Sequence, residues 1–470
     1  MRNNKKCLSR REFLRLSTLG ASGLVLAACV QGLAPAPPDS SAGQASAVES
    51  VSEPSGTEPV ELRLSAWADV QDAVVYENMV NRWHELNENI TVSVEQYPGG
   101  YYEKIQANFA AGTSADVLYY QGWIWQAYAE NEVLVPLDDF IAQDKAEGFF
   151  PDTDNYRNST QWYGKTYMTP TDVGSLVIYY NKDLFDKQGI PYPQRGWTWE
   201  EFQDIIQKLS FTEGDTRFYG WAQAGGWQGA YARNVNFMRR NGHLEWDSEV
   251  EPKEAHWDHE DVISALQFII YDAIANNWSP GPEVITGGGV GVDTGRVAMV
   301  LEGPWYMPRL WGELATTESG INFDVVEPPI GEVDRNFNFG HVHGHTITNQ
   351  SKSPEVCWEL IKFILGDEGQ EIIAQGGRMC GTPENIEKIW GPIASERYNF
   401  TNVEAFANGM REGSTPVILG EGAQIHAYGG GPITSLWDKL LGLQATAAEA
   451  VPEANVEIQR ELDEYWRDRA

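Results

Sequence analysis

The chain has 470 residues, and its 67 acidic side chains outnumber its 34 lysines and arginines to give a formal net charge of −33. Such an acidic surface argues against a nucleic-acid partner and against electrostatic adhesion to anionic lipid, and it suits a protein that must stay soluble. The body that begins near residue 61 is too long for a single hydrophobic core, so we expect two or more lobes.

The N-terminus has the pattern of a bacterial export signal. Basic residues, including Arg10 and Arg11, precede an apolar run over 14–28, which is shorter than the roughly 20 residues of a membrane-spanning helix. Ser-Arg-Arg-x-Phe-Leu is typical of twin-arginine signals, and the following Leu-Ala-Ala-Cys resembles the lipobox of bacterial lipoproteins. We predict a signal peptide over 1–28 and lipid attachment at Cys29; the alternative is a buried N-terminal helix with an incidental cysteine.

The next segment, 29–60, is rich in Pro, Ser, Ala and Gly and lacks apolar periodicity. Such a composition cannot bury a core, so it predicts a disordered tether. Signal, lipid site and tether together predict an extracytoplasmic protein that the twin-arginine route exports and a lipid anchors to the cell membrane, in a periplasm or on the outer cell surface.

Strands and helices alternate at the start of the body. VELRLSAW is predicted to be a strand, VVYENMVNRWHELN a helix, ITVSVEQY a strand, YYEKIQANFAAG a helix that ends at Gly112, and ADVLYYQ a third strand. A helix in WQAYAENEV follows. This order is typical of βαβ units and a mostly parallel sheet.

A second set of elements begins at GSLVIYYNKDLFDKQG. Thr198 and Glu201 predict a capping box at the start of the helix TWEEFQDIIQKL. HEDVISALQFIIYDAIANN reads as a long helix, and TGRVAMVLEG and INFDVVEPP as strands. After residue 345 the pattern is predominantly helical.

Two cysteines lie in the body, Cys357 and Cys380. Outside the cytosol they could form a disulfide, but the sequence does not give their separation, so both the bonded and the free states stay open. They form no cluster of the metal-binding type.

In its order of predicted elements and motifs, the chain resembles the family 1 extracellular solute-binding proteins, the maltose-binding-like receptors of carbohydrate ABC transporters. The resemblance covers nearly the whole body through landmarks in the family's order: ADVLYY…YAENEVLVPLDDF, MTPTDVGSLVIYYNKDLFDKQGI, WTWEEFQDIIQKL, GRVAMVLEGPWYM and SPEVCWELIKFILGDEGQEIIAQGG. Each landmark alone is weak, but their order and number make the resemblance specific.

The resemblance implies an α/β, two-lobe periplasmic-binding-protein-like fold of type II, with parallel-rich sheets flanked by helices and a hinge of several chain crossings. Lobe 1 would take 61–172 and 345–382, and lobe 2 would take 173–344 and 383–470. By analogy, crossings lie near 169–174, 340–344 and 380–384. The ligand would bind in the cleft, which closes by hinge motion.

Aromatic side chains beside turns are candidates for sugar contacts, because Trp and Tyr offer a flat apolar face with few rotamers to fix. Trp305 follows a strand and Gly-Pro, and the resemblance implies that it stacks on sugar. Four more aromatic candidates lie at strand ends or in Gly-rich loops: Trp67, Trp123, Trp227 and Tyr428. For each, packing in the core is the alternative.

Polar candidates would supply the hydrogen bonds that orient a ligand. Asp172 lies in the first crossing and could accept bonds from two sugar hydroxyls. Asp116 and Gln121 flank the third predicted strand, and Arg378 lies beside the last crossing. Helix capping or an interlobe salt bridge is the alternative for each.

Three alternating histidines occupy the motif HVHGHT. On a strand, His341, His343 and His345 would share one face, a spacing that could bind Zn²⁺ or Cu²⁺. No carboxylate or cysteine lies nearby in sequence, so we favour plain hinge structure over a metal site and keep a sugar contact by His343 as the alternative. We expect no metal and no cofactor.

We therefore expect a monomeric receptor, not an enzyme, that captures a sugar or oligosaccharide and delivers it to the transmembrane permease subunits of an ABC importer. The chain lacks Gly-x-Ser-x-Gly, His-Glu-x-x-His and a phosphate-binding glycine loop. Two alternatives stay open: a secreted carbohydrate-active enzyme with a pair of carboxylates, and a receptor for another polar solute such as a polyol, a glycerophosphodiester or a peptide.

Overall fold

The first sheet brings distant parts of the sequence side by side. The computed structural model describes residues 59–469 except 69, 223–229, 282–290, 313–314, 316, 319 and 421–430. The strands of the first sheet lie in the order β2-β1-β3-β13-β6. They span Val60–Trp67 (β1), Ile90–Tyr97 (β2), Val117–Gln121 (β3), Asp172–Ser175 (β6) and Gly340–Ile347 (β13). The predicted signal peptide, Cys29, residues 29–58 of the predicted tether, Trp227 and Tyr428 lie outside the described residues, and Val60, the last residue of that tether, begins β1.

The second sheet has the order β10-β11-β7-β12. Its strands are Val177–Asn181 (β7), Tyr219–Ala222 (β10), Val297–Glu302 (β11) and Phe323–Val326 (β12). Two short hairpins complete the strands: Gln161–Trp162 (β4) with Lys165–Thr166 (β5), and Thr212–Glu213 (β8) with Thr216–Arg217 (β9).

Helices surround both sheets. The first half of the chain has Val70–Leu86 (α1), Tyr101–Ala111 (α2), Gln126–Glu130 (α3), Asp138–Asp144 (α4), Asp154–Thr160 (α5), Lys182–Gln188 (α6), Trp199–Lys208 (α7), Ala230–Met238 (α8), Glu260–Leu266 (α9) and Ala273–Ala275 (α10). A π-helical turn over Gln267–Asp272 joins the last two into the long helix that the sequence predicts. Then follow Met307–Leu310 (α11), Pro354–Leu365 (α12), Asp367–Gln375 (α13), Pro383–Asn385 (α14), Gly391–Tyr398 (α15), Glu404–Arg411 (α16), Gly431–Leu441 (α17) and Ala447–Arg469 (α18).

Both sheets are mixed, with parallel pairs confined to parts of each. β1 is parallel to β2 and β3, as the βαβ pattern predicts, and β10 is parallel to β11. β13 runs antiparallel to both β3 and β6, and β7 runs antiparallel to both β11 and β12. Because β6, β7 and β13 are joined to their sheet neighbours by long connections and not by βαβ units, the local sequence pattern does not predict their direction.

Two helix-terminus predictions are confirmed. The Thr198 side chain accepts from the Glu201 backbone amide while the Glu201 carboxylate accepts from that of Thr198, which makes the predicted capping box. α2 ends at Gly112, whose φ of 68° is the left-handed conformation that glycine adopts easily.

The three segments predicted as crossings lie next to one another. In the β13–β6 register Gly340 is opposite Ser175 and His343 is opposite Asp172, and Asp172 also forms a bridge with Cys380. Their closeness depends on Gly344, because a Cβ there would lie 1.5 Å from the Thr169 carbonyl oxygen. Among the described residues, no helix is long and apolar enough to span a bilayer.

Candidate functional site

A cavity of about 390 Å³ lies where the first sheet faces the end of β11. Its walls include strand residues of the first sheet, the turn after β11 and side chains from α1 and α8. Seven residues predicted from sequence line it: Trp67, Gln121, Trp123, Asp172, Trp305, His343 and Arg378. The volume falls in the range of small-molecule sites.

A row of three polar residues crosses the wall that the first sheet provides. His343 on β13 is opposite Gln121 on β3 and also opposite Asp172 on β6. All three side chains line the cavity. Strand register therefore fixes the spacing of these groups, and they need no loop to position them.

Asp172 is the centre of a buried hydrogen-bond network. Its carboxylate accepts from the Tyr119 hydroxyl at 2.9 and 3.0 Å, from His343 Nδ1 at 3.0 Å and from Arg378 Nη1 at 3.2 Å. The Arg378 Nε also pairs with Asp72 at 3.0 Å. Since these bonds occupy the Asp172 oxygens, the carboxylate organises the wall and is not left free for two sugar hydroxyls.

The network keeps Asp172 and Arg378 charged. Burial alone would raise the pKa of Asp172, but Arg378 and His343 hold that pKa well below the usual value. Burial likewise opposes the charge of Arg378, yet Asp172 and Tyr119 keep its pKa well above the usual value. A carboxylate that stays ionised in this way cannot act as a general acid near neutral pH.

Trp305 is the most exposed aromatic side chain on the cavity wall. It is 46% exposed and stands on a turn of 3₁₀ helix, Pro304–Tyr306, directly after β11. The indole Nε1 donates to Glu302 Oε2 at 2.9 Å. Glu302 also pairs with Arg233 at 2.7 Å. A Cβ on Gly303 would lie 2.2 Å from the indole ring, so the Gly-Pro that precedes Trp305 provides the space in which its ring lies.

The other predicted aromatic residues differ in exposure. Trp67 ends β1 and is 38% exposed, so its face is open to the cavity. Trp123 is buried and packs edge-on to His341 at 5.5 Å between ring centroids. Trp123 therefore packs within the wall and leaves little ring surface for a ligand to contact.

The three histidines share one face of β13, as the alternation predicts. His345 Nδ1 lies 2.7 Å from the Thr171 hydroxyl, and burial lowers the pKa of His345 to about 4. His341 and His343 line the cavity. Over the described part of the chain, no group of three or more His, Cys, Asp or Glu side chains is arranged to hold a metal ion.

Asp116 lies away from the cavity. It precedes β3, whose other end carries Gln121, and its carboxylate accepts from the Arg63 backbone amide at 2.8 Å. It is not among the lining residues. Cys357 and Cys380 are both free and buried, so they are not joined by a disulfide.

Some lining residues were missed from sequence: Asp72, Arg233, Phe339, His341 and Tyr398. Arg233 is buried within α8, whose apolar pattern reads as core. A charge inside an apolar helical segment is a usable signal, because buried arginines need a partner. Asp72 gave no comparable signal, since an acidic residue in the first turn of a helix is common.

A family model described as bacterial extracellular solute-binding protein matches residues 67–371. The chain belongs to this family. Among curated relatives, the binding protein BAB2_0491 of Brucella abortus is 23% identical over 309 residues, which are 62% of this chain and 68% of that protein. The sn-glycerol-3-phosphate-binding periplasmic protein UgpB of Escherichia coli K12 is 25% identical over 174 residues, 35% of this chain and 38% of that protein.

Solved structures of the solute-binding proteins share the fold. The substrate-binding protein Lmo0181 of Listeria monocytogenes, in complex with cycloalternan, has a TM-score of 0.68 at 20% identity and covers 86% of this chain and 100% of its own. Maltose-bound MalE3 of T. maritima has a TM-score of 0.69 at 18% identity with the same coverage. The predicted α/β two-lobe fold is confirmed, and the cavity lies between strands of the first sheet and the turn after β11.

We expect Asp172→Asn to lower the free energy of unfolding, because the buried Arg378 would lose one of its two carboxylate partners, Asp172, and keep Asp72. Breaking a buried pair costs about 3–5 kcal/mol. A carboxylate whose pKa is lowered by folding stabilises above its ordinary pKa of about 3.9, and this contribution is lost as pH falls below that value. Urea unfolding should therefore show a large deficit for Asp172→Asn at pH 7 that shrinks at pH 3. An equal deficit at both pH values would contradict this role.

Proposed function

We propose that this protein is the extracytoplasmic receptor of an ABC importer and that it captures a sugar or oligosaccharide in the cavity. The observation that carries the proposal is an exposed Trp305 face in one cavity with the polar side chains of Gln121 and His343, which strand register and the Asp172 carboxylate hold in place. A sugar presents apolar C–H faces and a rim of hydroxyls. It therefore needs a flat aromatic surface and fixed hydrogen-bonding groups together.

The charges of the cavity favour an uncharged ligand. Among the described lining residues, the permanently positive side chains are Arg233 and Arg378. Arg233 is already paired with Glu302, and Arg378 is already paired with Asp72 and Asp172. The undescribed stretches 223–229, 282–290 and 421–430 contain no lysine or arginine in the sequence. A phosphate would thus enter without a free cation against a strongly negative chain. This supports a sugar over a glycerol phosphate.

The pairing of Arg378 with carboxylates supports binding over catalysis. Hydrolysis of a glycosidic bond needs one carboxylic acid that stays protonated near neutral pH and a second carboxylate. Among the described lining residues, the carboxylates are those of Asp72 and Asp172; both pair with Arg378, and the pKa of Asp172 is lowered. A general acid needs the opposite shift.

The cellular setting follows from the N-terminal sequence. The twin-arginine pattern and Leu-Ala-Ala-Cys29 support export of the folded protein and a lipid anchor in the cell membrane. The segment 29–60 would then act as the tether that lets a monomeric body meet the permease subunits. The lobes would take the boundaries 61–172 with 345–382 and 173–344 with 383–470.

Ligand-dependent melting tests the sugar assignment. Maltose and cycloalternan, which are bound by proteins of this fold, should be screened beside other mono- and oligosaccharides, with sn-glycerol 3-phosphate as the charged comparison. A ligand at 100 times its Kd adds about 2.7 kcal/mol of stability, which raises Tm by several degrees. We expect a sugar to raise Tm and the phosphate to leave it unchanged. Stabilisation by the phosphate alone would overturn the sugar assignment.

Trp305→Ala should weaken binding of that sugar by at least about 30-fold, since truncation of a central Trp commonly costs 2 kcal/mol or more. Because Trp305 is 46% exposed, Tm should change little. Trp305→Phe is the matched control and should lose less, because a smaller face remains. Calorimetric titration and a melting curve on each variant measure both effects. Near-native affinity in folded Trp305→Ala would remove this residue from the site.

Cys29→Ala should release the protein from the membrane fraction and leave ligand affinity unaltered, because Cys29 precedes by 38 positions the first residue known to line the cavity, Trp67. Fractionation of cells followed by immunoblotting measures the release. Replacement of Arg10 and Arg11 by Lys is the companion variant and should block export. Membrane retention of Cys29→Ala at the wild-type level would contradict lipidation at this cysteine.

A further inference from the structure

The imidazoles of His341 and His343 lie side by side on the cavity wall, with ring centroids 4.6 Å apart. Each ring has one buried nitrogen without a hydrogen-bond partner among the described residues: Nδ1 of His341 and Nε2 of His343. Buried polar atoms are nearly always paired in folded proteins. His345 Nε2, on the same face of β13, is also buried without a partner, but His345 is not among the lining residues. The two atoms on the adjacent lining rings are therefore the ones for which a ligand in the cavity can supply partners.

Asp172 decides the hydrogen-bonding character of His343. An ionised carboxylate can only accept, so the Nδ1 that faces Asp172 Oδ1 at 3.0 Å must be the donor. Nε2 is then the ring atom left to meet a ligand. A sugar hydroxyl, which can donate or accept, is a group that pairs with it.

His341 is held in a neutral form and in one place. Burial lowers its pKa well below the usual value, so one ring nitrogen carries a proton and the other does not. Gly174 lies on β6 directly opposite His341, and a Cβ on Gly174 would lie 2.1 Å from the His341 Nε2. Phe339 and Trp305 pack on the ring at centroid distances of 4.8 and 5.6 Å. Gly174 thus makes the space for the ring, and the aromatic neighbours fix its orientation beside the Trp305 face.

We propose that His341 and His343 form an imidazole pair that recognises two hydroxyls of the sugar lying on Trp305 and so sets its stereochemistry. His343 Nε2 bonds one hydroxyl, and His341 Nδ1 bonds a second. This assigns His341 and its supporting Gly174 to the site as specificity-determining and positioning residues, respectively. The proposal rests on the sugar-binding function.

Amide substitutions separate hydrogen bonding from packing. The Asn side chain places a polar atom near the position of His Nδ1, and Gln places one near that of Nε2. His341→Phe keeps a flat ring without nitrogens, whereas His341→Asn keeps the Nδ1-like atom. The pair His343→Gln and His343→Asn makes the same comparison for Nε2. His345→Gln, on the same face of β13 but not among the lining residues, is the control.

Calorimetric titration should use the sugar that raises the wild-type Tm most, beginning with maltose and cycloalternan. We expect His341→Phe and His343→Asn to weaken binding by about 10-fold or more, which is the ratio that about 1.4 kcal/mol produces. His341→Asn and His343→Gln should retain most of the affinity, and His345→Gln should match the wild type. Gly174→Ala should weaken binding in the wild type but cause no further loss in His341→Phe, since the two changes act on one ring.

The outcomes separate this proposal from the sugar assignment. If the wild type binds a sugar and folded His341→Phe binds it equally well, the imidazole pair is wrong and the sugar assignment stands. Should His341→Phe fail to fold, equal affinity in His343→Asn and His343→Gln would overturn the pair. If the wild type binds sn-glycerol 3-phosphate and no sugar, both proposals fall.

Discussion

The buried Asp172 carboxylate is the interaction on which the rest of the site depends. Its hydrogen bonds join β3 through Tyr119, β13 through His343 and the segment after α13 through Arg378. These groups come from parts of the chain 53, 171 and 206 positions away from Asp172. A buried charge is tolerated only where its partners are complete, so the network fixes the relative position of three chain segments as well as the tautomer of His343.

The cavity has a rigid wall and an aromatic wall of different construction. The rigid wall is sheet, and its polar row is spaced by strand register. The aromatic wall stands on the turn after β11, where the Glu302 carboxylate binds both the Trp305 indole and the Arg233 guanidinium. Its apolar face is therefore held by polar contacts at the ring edge, which leaves much of the ring surface for a ligand.

The sequence predicts the elements whose cause is local. The capping box at Thr198, the left-handed Gly112 and the placement of Trp305 after a strand all depend on residues within a few positions of each other. The sequence could not predict that Arg233 lines the cavity or that the Asp172 carboxylate is already bonded to Tyr119, His343 and Arg378. Each of these depends on partners that only the tertiary fold brings together. Asp116 illustrates the same limit: its flanking position on β3 is predicted, but whether its end of the strand faces the cavity is a matter of sheet topology.

The exposure of the tryptophans has a spectroscopic consequence. The chain contains 18 tryptophans, yet among the described residues Trp67 and Trp305 are those with exposed side chains, and both line the cavity. Indole emission shifts to shorter wavelength when water is removed from the ring, whereas a buried indole hardly responds. A difference spectrum on ligand addition cancels every tryptophan whose surroundings stay the same, so among the described residues it reports chiefly the two exposed cavity rings, which gives the protein an intrinsic optical signal for occupancy.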